Sequence, residues 1–203
     1  MPDFVLGNQN GPSYCFMTLC PIQADVLDGA GAPVAELRSL LNNIPQGPKS
    51  PFASVPTIHL ARFVVIDTLP FEGFPQHEDL LGVPYLLCSM DISGQPREAV
   101  NGLLTQVPDF VASAWGRCIG FPGVSDREAF WKFLEGCQIE TSFFFGGYPE
   151  ATLDQVLRAL DMQRRFTTLA MDSQECSSAT LKAEFQKFLS EFYSSQTPRP
   201  GSV

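Results

Sequence analysis

The chain has 203 residues, 44% of them hydrophobic and 17% charged, with 22 acidic against 13 basic side chains and a net charge of −9. Its 17 Phe and 11% aromatics supply ample apolar surface to bury, which excludes a wholly disordered polymer. Phosphate backbones call for a basic stripe, and between Arg62 and Arg97 there is no Lys or Arg at all, so nucleic acid is excluded as the expected partner.

In chain order, residues 13–19 (Ser-Tyr-Cys-Phe-Met-Thr-Leu) read as a strand stopped by Pro21. Residues 33–44 follow as a helix, because Val34, Leu37, Leu40, Leu41 and Ile44 recur at helical spacing. A Pro/Gly/Ser loop leads into residues 57–66, Thr-Ile-His-Leu-Ala-Arg-Phe-Val-Val-Ile, a β-branched run with no internal breaker. After a loop carrying His77, Glu78 and Asp79, residues 84–91 give a third strand. Pro96 opens a second helix, and Pro108 interrupts it, since proline cannot donate the next backbone bond. Ser125 and Glu128 match a capping box in front of a further helix. Residues 140–145, Glu-Thr-Ser-Phe-Phe-Phe, read as a fourth strand ended by Gly146 and Gly147. Thr152 and Gln155 form a second capping box, and an amphipathic helix runs from about Thr180 to Tyr193.

These elements divide into a lead (1–12), a main domain (13–172), a C-terminal helix (173–193) and a flexible tail (194–203). The lead lacks the basic and apolar parts of a signal peptide, and no stretch approaches the roughly 20 apolar residues of a membrane span. A cytoplasmic protein with no membrane partner is expected. The six cysteines show no metal-ligand spacing and are expected to be free thiols behaving as small hydrophobes.

Without the helix near 126–137, the order strand, helix, strand, strand, helix, strand is the ferredoxin-like βαββαβ pattern of an α+β fold with an antiparallel sheet. Both faces of that sheet read apolar. In the second strand His59, Ala61, Phe63 and Val65 share one face, and Ile58, Leu60, Arg62, Val64 and Ile66 the other. A half-wet antiparallel sheet alternates apolar with polar, so a second cover is expected, either another copy of the chain or its own C-terminal helices. The homodimer is the favoured cover.

Residues 50–53 (Ser-Pro-Phe-Ala), 57–66, 115–118 (Trp-Gly-Arg-Cys) and 141–145 resemble a largely uncharacterised family similar to the dimeric α+β-barrel, ferredoxin-like superfamily. That family shows a Thr-His-x-Ala-Arg strand and a Phe-Asp-Gly-type turn, which here reads Met90-Asp91-Ile92-Ser93-Gly94. The resemblance implies a pocket against the sheet. It also implies chemistry of the kind found in cofactor-free monooxygenases, cyclases and dehydratases, or in haem peroxidases.

Four residues carry the chemical expectation. His59 titrates near neutrality and suits a general base or a ligand to haem iron. Arg62 suits a carboxylate clamp or oxyanion stabiliser, its structural alternative being a salt bridge to Asp67 or Asp91. Regular alternation puts it on the face opposite His59, and only a β-bulge would unite the two. Asp91 ends the third strand as a turn aspartate or a base, and Tyr148 follows Gly146 and Gly147 where it could donate to a ligand carbonyl. The expected function is a small-molecule enzyme with an apolar ligand and no nucleotide cofactor. The alternatives are a haem protein and a non-catalytic oligomerisation or ligand-binding module.

Overall fold

A computed structural model describes residues 6–23, 31–69, 73–75 and 80–202. The expectations attached to His77, Glu78 and Asp79 lie outside the described residues. Four strands, β1 (Gln9–Asn10), β2 (Ser13–Pro21), β3 (Ile58–Thr68) and β4 (Leu80–Ser93), form one antiparallel sheet in the order β1-β2-β4-β3. Six α-helices stand among the described residues: α1 (Gly31–Asn42), α2 (Pro96–Gln106), α3 (Pro108–Trp115), α4 (Arg127–Gly136), α5 (Leu153–Asp172) and α6 (Ser178–Ser194). The class is α+β, as the element order implies.

Alternation decides which side of the sheet is core. Phe16 and Cys20 of β2, with Leu86, Met90 and Ile92 of β4, are buried under the helices. Phe63 of β3 joins them in an aromatic cluster with Phe52, Phe110 and Trp115, whose rings meet largely edge to face. Such contacts add about 0.5–1.5 kcal/mol per pair beyond burial. Pro108 separates α2 from α3 as expected, and both helices turn apolar residues (Val100, Leu103, Val111) into this layer.

Two sequence expectations are corrected. Residues 140–145 form no strand. After α4 the chain makes one antiparallel bridge to the edge of β2, Thr18 to Gln138, flanked by backbone bonds from Leu19 N to Cys137 O and from Ile139 N to Met17 O. Continuing that pairing would set Ser142 and Phe143 opposite Tyr14 and Ser13, which are already paired with β1. The segment is diverted instead onto two asparagines: Thr141 N donates to Asn8 Oδ1 and Asn10 Nδ2 donates to the Phe144 carbonyl. The turn of the β1–β2 hairpin carries Gly11 at φ 59°, where the backbone of Pro149 passes so close that no β-carbon would fit.

The second correction concerns α4. Its N-cap is Asp126, not Ser125, and one carboxylate oxygen accepts from the amides of Glu128 and Ala129. The capping box at Thr152 and Gln155 forms as read.

The sheet's second face is left partly open among the described residues. Helix α5 begins at the end of β4, where Leu153 N donates to Ser93 Oγ, and pairs with α6. Residues 195–202 fold back, with Arg158 donating to the Ser195 carbonyl and Gly201 lying against Gly47. Leu60 and Val64 on the second face stay exposed, at 60% and 46%.

Candidate functional site

The ladder between β3 and β4 is regular from Leu60 opposite Asp91 to Ile66 opposite Tyr85, but Ile58 stands opposite Ile92. His59 is therefore the extra residue of a β-bulge. The bulge reverses the facing of the first residues of the strand. Ile58 enters the core, whereas His59 comes to the side of Asp91, Leu60, Arg62 and Val64. The condition for His59 and Arg62 to share a face is met.

His59 is half-buried, and its Nε2 is buried without a hydrogen-bond partner among the described residues. Burial holds the imidazole below its ordinary value, and the nearby Asp91 carboxylate partly opposes this. Arg62 is exposed and makes no hydrogen bond or ion pair among the described residues. The salt bridge that was its structural alternative forms with neither Asp91 nor Asp67, and Asp67 is bound by Arg38 of α1 at 2.6 Å.

Asp91 has a second neighbour that its sequence position conceals. Cys15 of β2 stands directly across from it, near Ser89 and Thr141, whose buried hydroxyl meets no hydrogen-bond partner among the described residues. Burial and the Asp91 carboxylate push the Cys15 thiol up, so it is a poor nucleophile. Asn8, fully buried, fixes this corner: its Nδ2 donates to the Cys15 carbonyl at 2.8 Å and its Oδ1 holds Thr141. Cys15 reads in sequence as one apolar-strand thiol among six, and only the β2–β4 register brings it to Asp91.

Tyr148 is not part of this group. It is 80% exposed on the segment before α5, and makes no hydrogen bond or ring contact to His59, Arg62 or Asp91. It lines an open apolar groove of about 770 Å³ with Val156, Ala159 and Leu160 of α5. Three further grooves are lined by α5, α6 and residues 53–57 with 197–200. None of the four is lined by His59, Arg62 or Asp91.

The free Nε2 of His59 is the one site atom suited to ligate a haem iron, but no apolar slot for a porphyrin adjoins it within these four grooves. Among the described residues no set of three or more His, Cys, Asp or Glu side chains is arranged to hold a metal ion, and no helix is long and apolar enough to cross a membrane. Comparison with family models, curated proteins and solved structures finds no match to this chain.

Proposed function

We propose that the protein is a small-molecule enzyme working by proton transfer on the second face of the sheet, at the end marked by the His59 bulge. The observation that carries this reading is the buried, unpartnered Nε2 of His59. An orphaned polar atom costs about 1–3 kcal/mol, and a strand that needed only packing would be better served by leucine. Burial keeps the ring neutral at neutral pH, ready to accept a proton, and the Asp91 carboxylate stabilises the imidazolium that results. Arg62, unpaired and exposed three residues further on, supplies a positive charge for a carboxylate or a developing oxyanion. Leu60, Val64 and Leu87 give the apolar floor that a hydrophobic substrate skeleton requires. The reaction class is isomerisation, elimination or cyclisation initiated by proton abstraction.

The face is open in one chain, so the reading includes a lid. A second copy stacked sheet against sheet, as in a dimeric α+β barrel of ferredoxin-like subunits, excludes water from both sites at once. What supports it is the exposure of Leu60 and Val64 on that face.

Thermal-shift measurements against a panel of small apolar carboxylates test the proposal. Stabilisation by a ligand is expected to vanish in Arg62→Met. Turnover of any ligand that proves a substrate is expected to fall by about 10²–10⁴-fold in His59→Gln. Equal ligand shifts in wild type, Arg62→Met and His59→Gln would overturn the site. A Soret band on adding hemin that His59→Leu abolishes would reassign it to haem.

A further inference from the structure

A cavity of about 560 Å³ lies where the last residues of the chain return to its body. Two hydrogen bonds join its inner walls: Ser93 N donates to the Thr57 carbonyl at 2.7 Å, and Leu153 N donates to Ser93 Oγ. Through Ser93 the residue ahead of β3 is thus tied to the first turn of α5, where Asp154 also lines the cavity. Residues 197–200 form a further wall, a strap fixed at both ends. Arg158 Nη1 donates to the Ser195 carbonyl at 2.7 Å, and Gly201 lies against Gly47, both at positive φ (75° and 64°). The size falls in the range of small-ligand sites, roughly 300–1,000 Å³. Its polar lining is unengaged: the side chains of Ser54, Thr57, Gln106, Asp154, Thr197 and Arg199 make no hydrogen bond or ion pair among the described residues. In the groove between α5 and α6, by contrast, Arg164, Arg165 and Thr180 are bonded within the chain.

We infer that this cavity binds a small zwitterion, an α-ammonium and an α-carboxylate on an apolar body, as in a free amino acid or a dipeptide. Asp154 is the one acid that lines it and Arg199 the one base, and the two do not pair with each other. A ligand carrying both charges completes each with a charge-assisted hydrogen bond. Other charge types fit less well. A phosphate or a plain carboxylate would satisfy Arg199 but meet the negative Asp154, and an amine alone would do the reverse. The Gln106 amide and the Ser54 and Thr197 hydroxyls both donate and accept, which suits a peptide group. Leu157, which is buried, and the prolines at 56 and 198 supply apolar wall for a side chain. Because Arg199 belongs to the strap and Asp154 to α5, a bound ligand ties the end of the chain to the helix that starts at β4. The inference is independent of the proton-transfer reading, since His59, Arg62 and Asp91 do not line this cavity.

Calorimetric titration of the full chain with leucine and with leucyl-leucine tests the inference. Saturable binding of at least one probe at millimolar concentration or below is expected, and the tighter of the two gives the length of the occupant. Acetylating the probe's amine, or amidating its carboxylate, is expected to weaken binding to the wild type by about tenfold in each case. Asp154→Asn is expected to lose the response to acetylation alone, and Arg199→Gln the response to amidation alone. Both side chains are exposed and unpaired, so neither variant is expected to move the melting temperature of the free protein. Arg62→Met is expected to bind as the wild type does, which separates this cavity from the proposed catalytic face. Absence of binding by both probes, loss of binding in Arg62→Met, or the same response to end-blocking in the wild type and both cavity variants would overturn the inference.

Discussion

At the residue scale, His59 sets function against stability. Its Nε2 is buried with no acceptor or donor among the described residues, so removing the imidazole removes a cost. His59→Leu is expected to leave the melting temperature unchanged or to raise stability by about 1 kcal/mol, while abolishing any turnover. Chemical denaturation followed by fluorescence measures the first effect. The sign with pH follows from the ring's lowered value: above the ordinary value of 6.5 both folded and unfolded chains carry neutral His59. As pH falls below that value the unfolded chain takes up a proton that the folded chain still refuses, so stability declines until the folded value is passed. This part of the acid sensitivity is expected to be absent in His59→Leu. The imidazole itself was legible as a candidate, since a lone His stands out in an apolar strand. Its surroundings were not, because Cys15 and Asp91 are brought together only by cross-strand register.

At the element scale, β3 shows what a periodic pattern can and cannot carry. Its length, its β-branched residues and its two apolar faces were plain, but the bulge that exchanges Ile58 with His59 leaves no mark in an alternating string. The failure of residues 140–145 as a strand has a different cause. Thr-Ser-Phe-Phe-Phe has every local preference for one, yet the places it would take beside Tyr14 and Ser13 are held by a two-residue strand from a polar lead. Phe143 and Phe145 are left largely exposed. The helices were easier, since their apolar spacing is a property of each segment alone. The bulge also makes a clean prediction. Excising His59 would leave Ile58 opposite Ile92 and Leu60 opposite Asp91 in a ladder that runs unbroken to Ile66. A single-residue deletion in mid-strand, ordinarily ruinous because it reverses every later side chain, is expected here to preserve a cooperative melt and the far-ultraviolet circular dichroism.

At the scale of the whole molecule, helices cover one side of the sheet, and on the other side Cys15 and Ser89 are buried while Leu60 and Val64 stay exposed. The element order conveyed the class and three of the sheet's four strands, whereas the start of α5 depended on a distant contact with Ser93. If two copies stack through the second face, light scattering after gel filtration gives twice the chain mass. Leu60→Glu combined with Val64→Glu is then expected to return monomer with little loss of fold, since both side chains are already in water in the single chain. A wild-type monomer at all concentrations would remove the lid from the proposed site. The two rims of the sheet are also unequally guarded. Asparagine side chains and a short hairpin fill the β2 rim, but on the β3 rim, among the described residues, one guanidinium, that of Arg38, reaches over the Val65 carbonyl. Uncontrolled strand-to-strand growth on heating should therefore begin at β3 and hasten in Arg38→Ala, making that arginine a gatekeeper against fibrous aggregates.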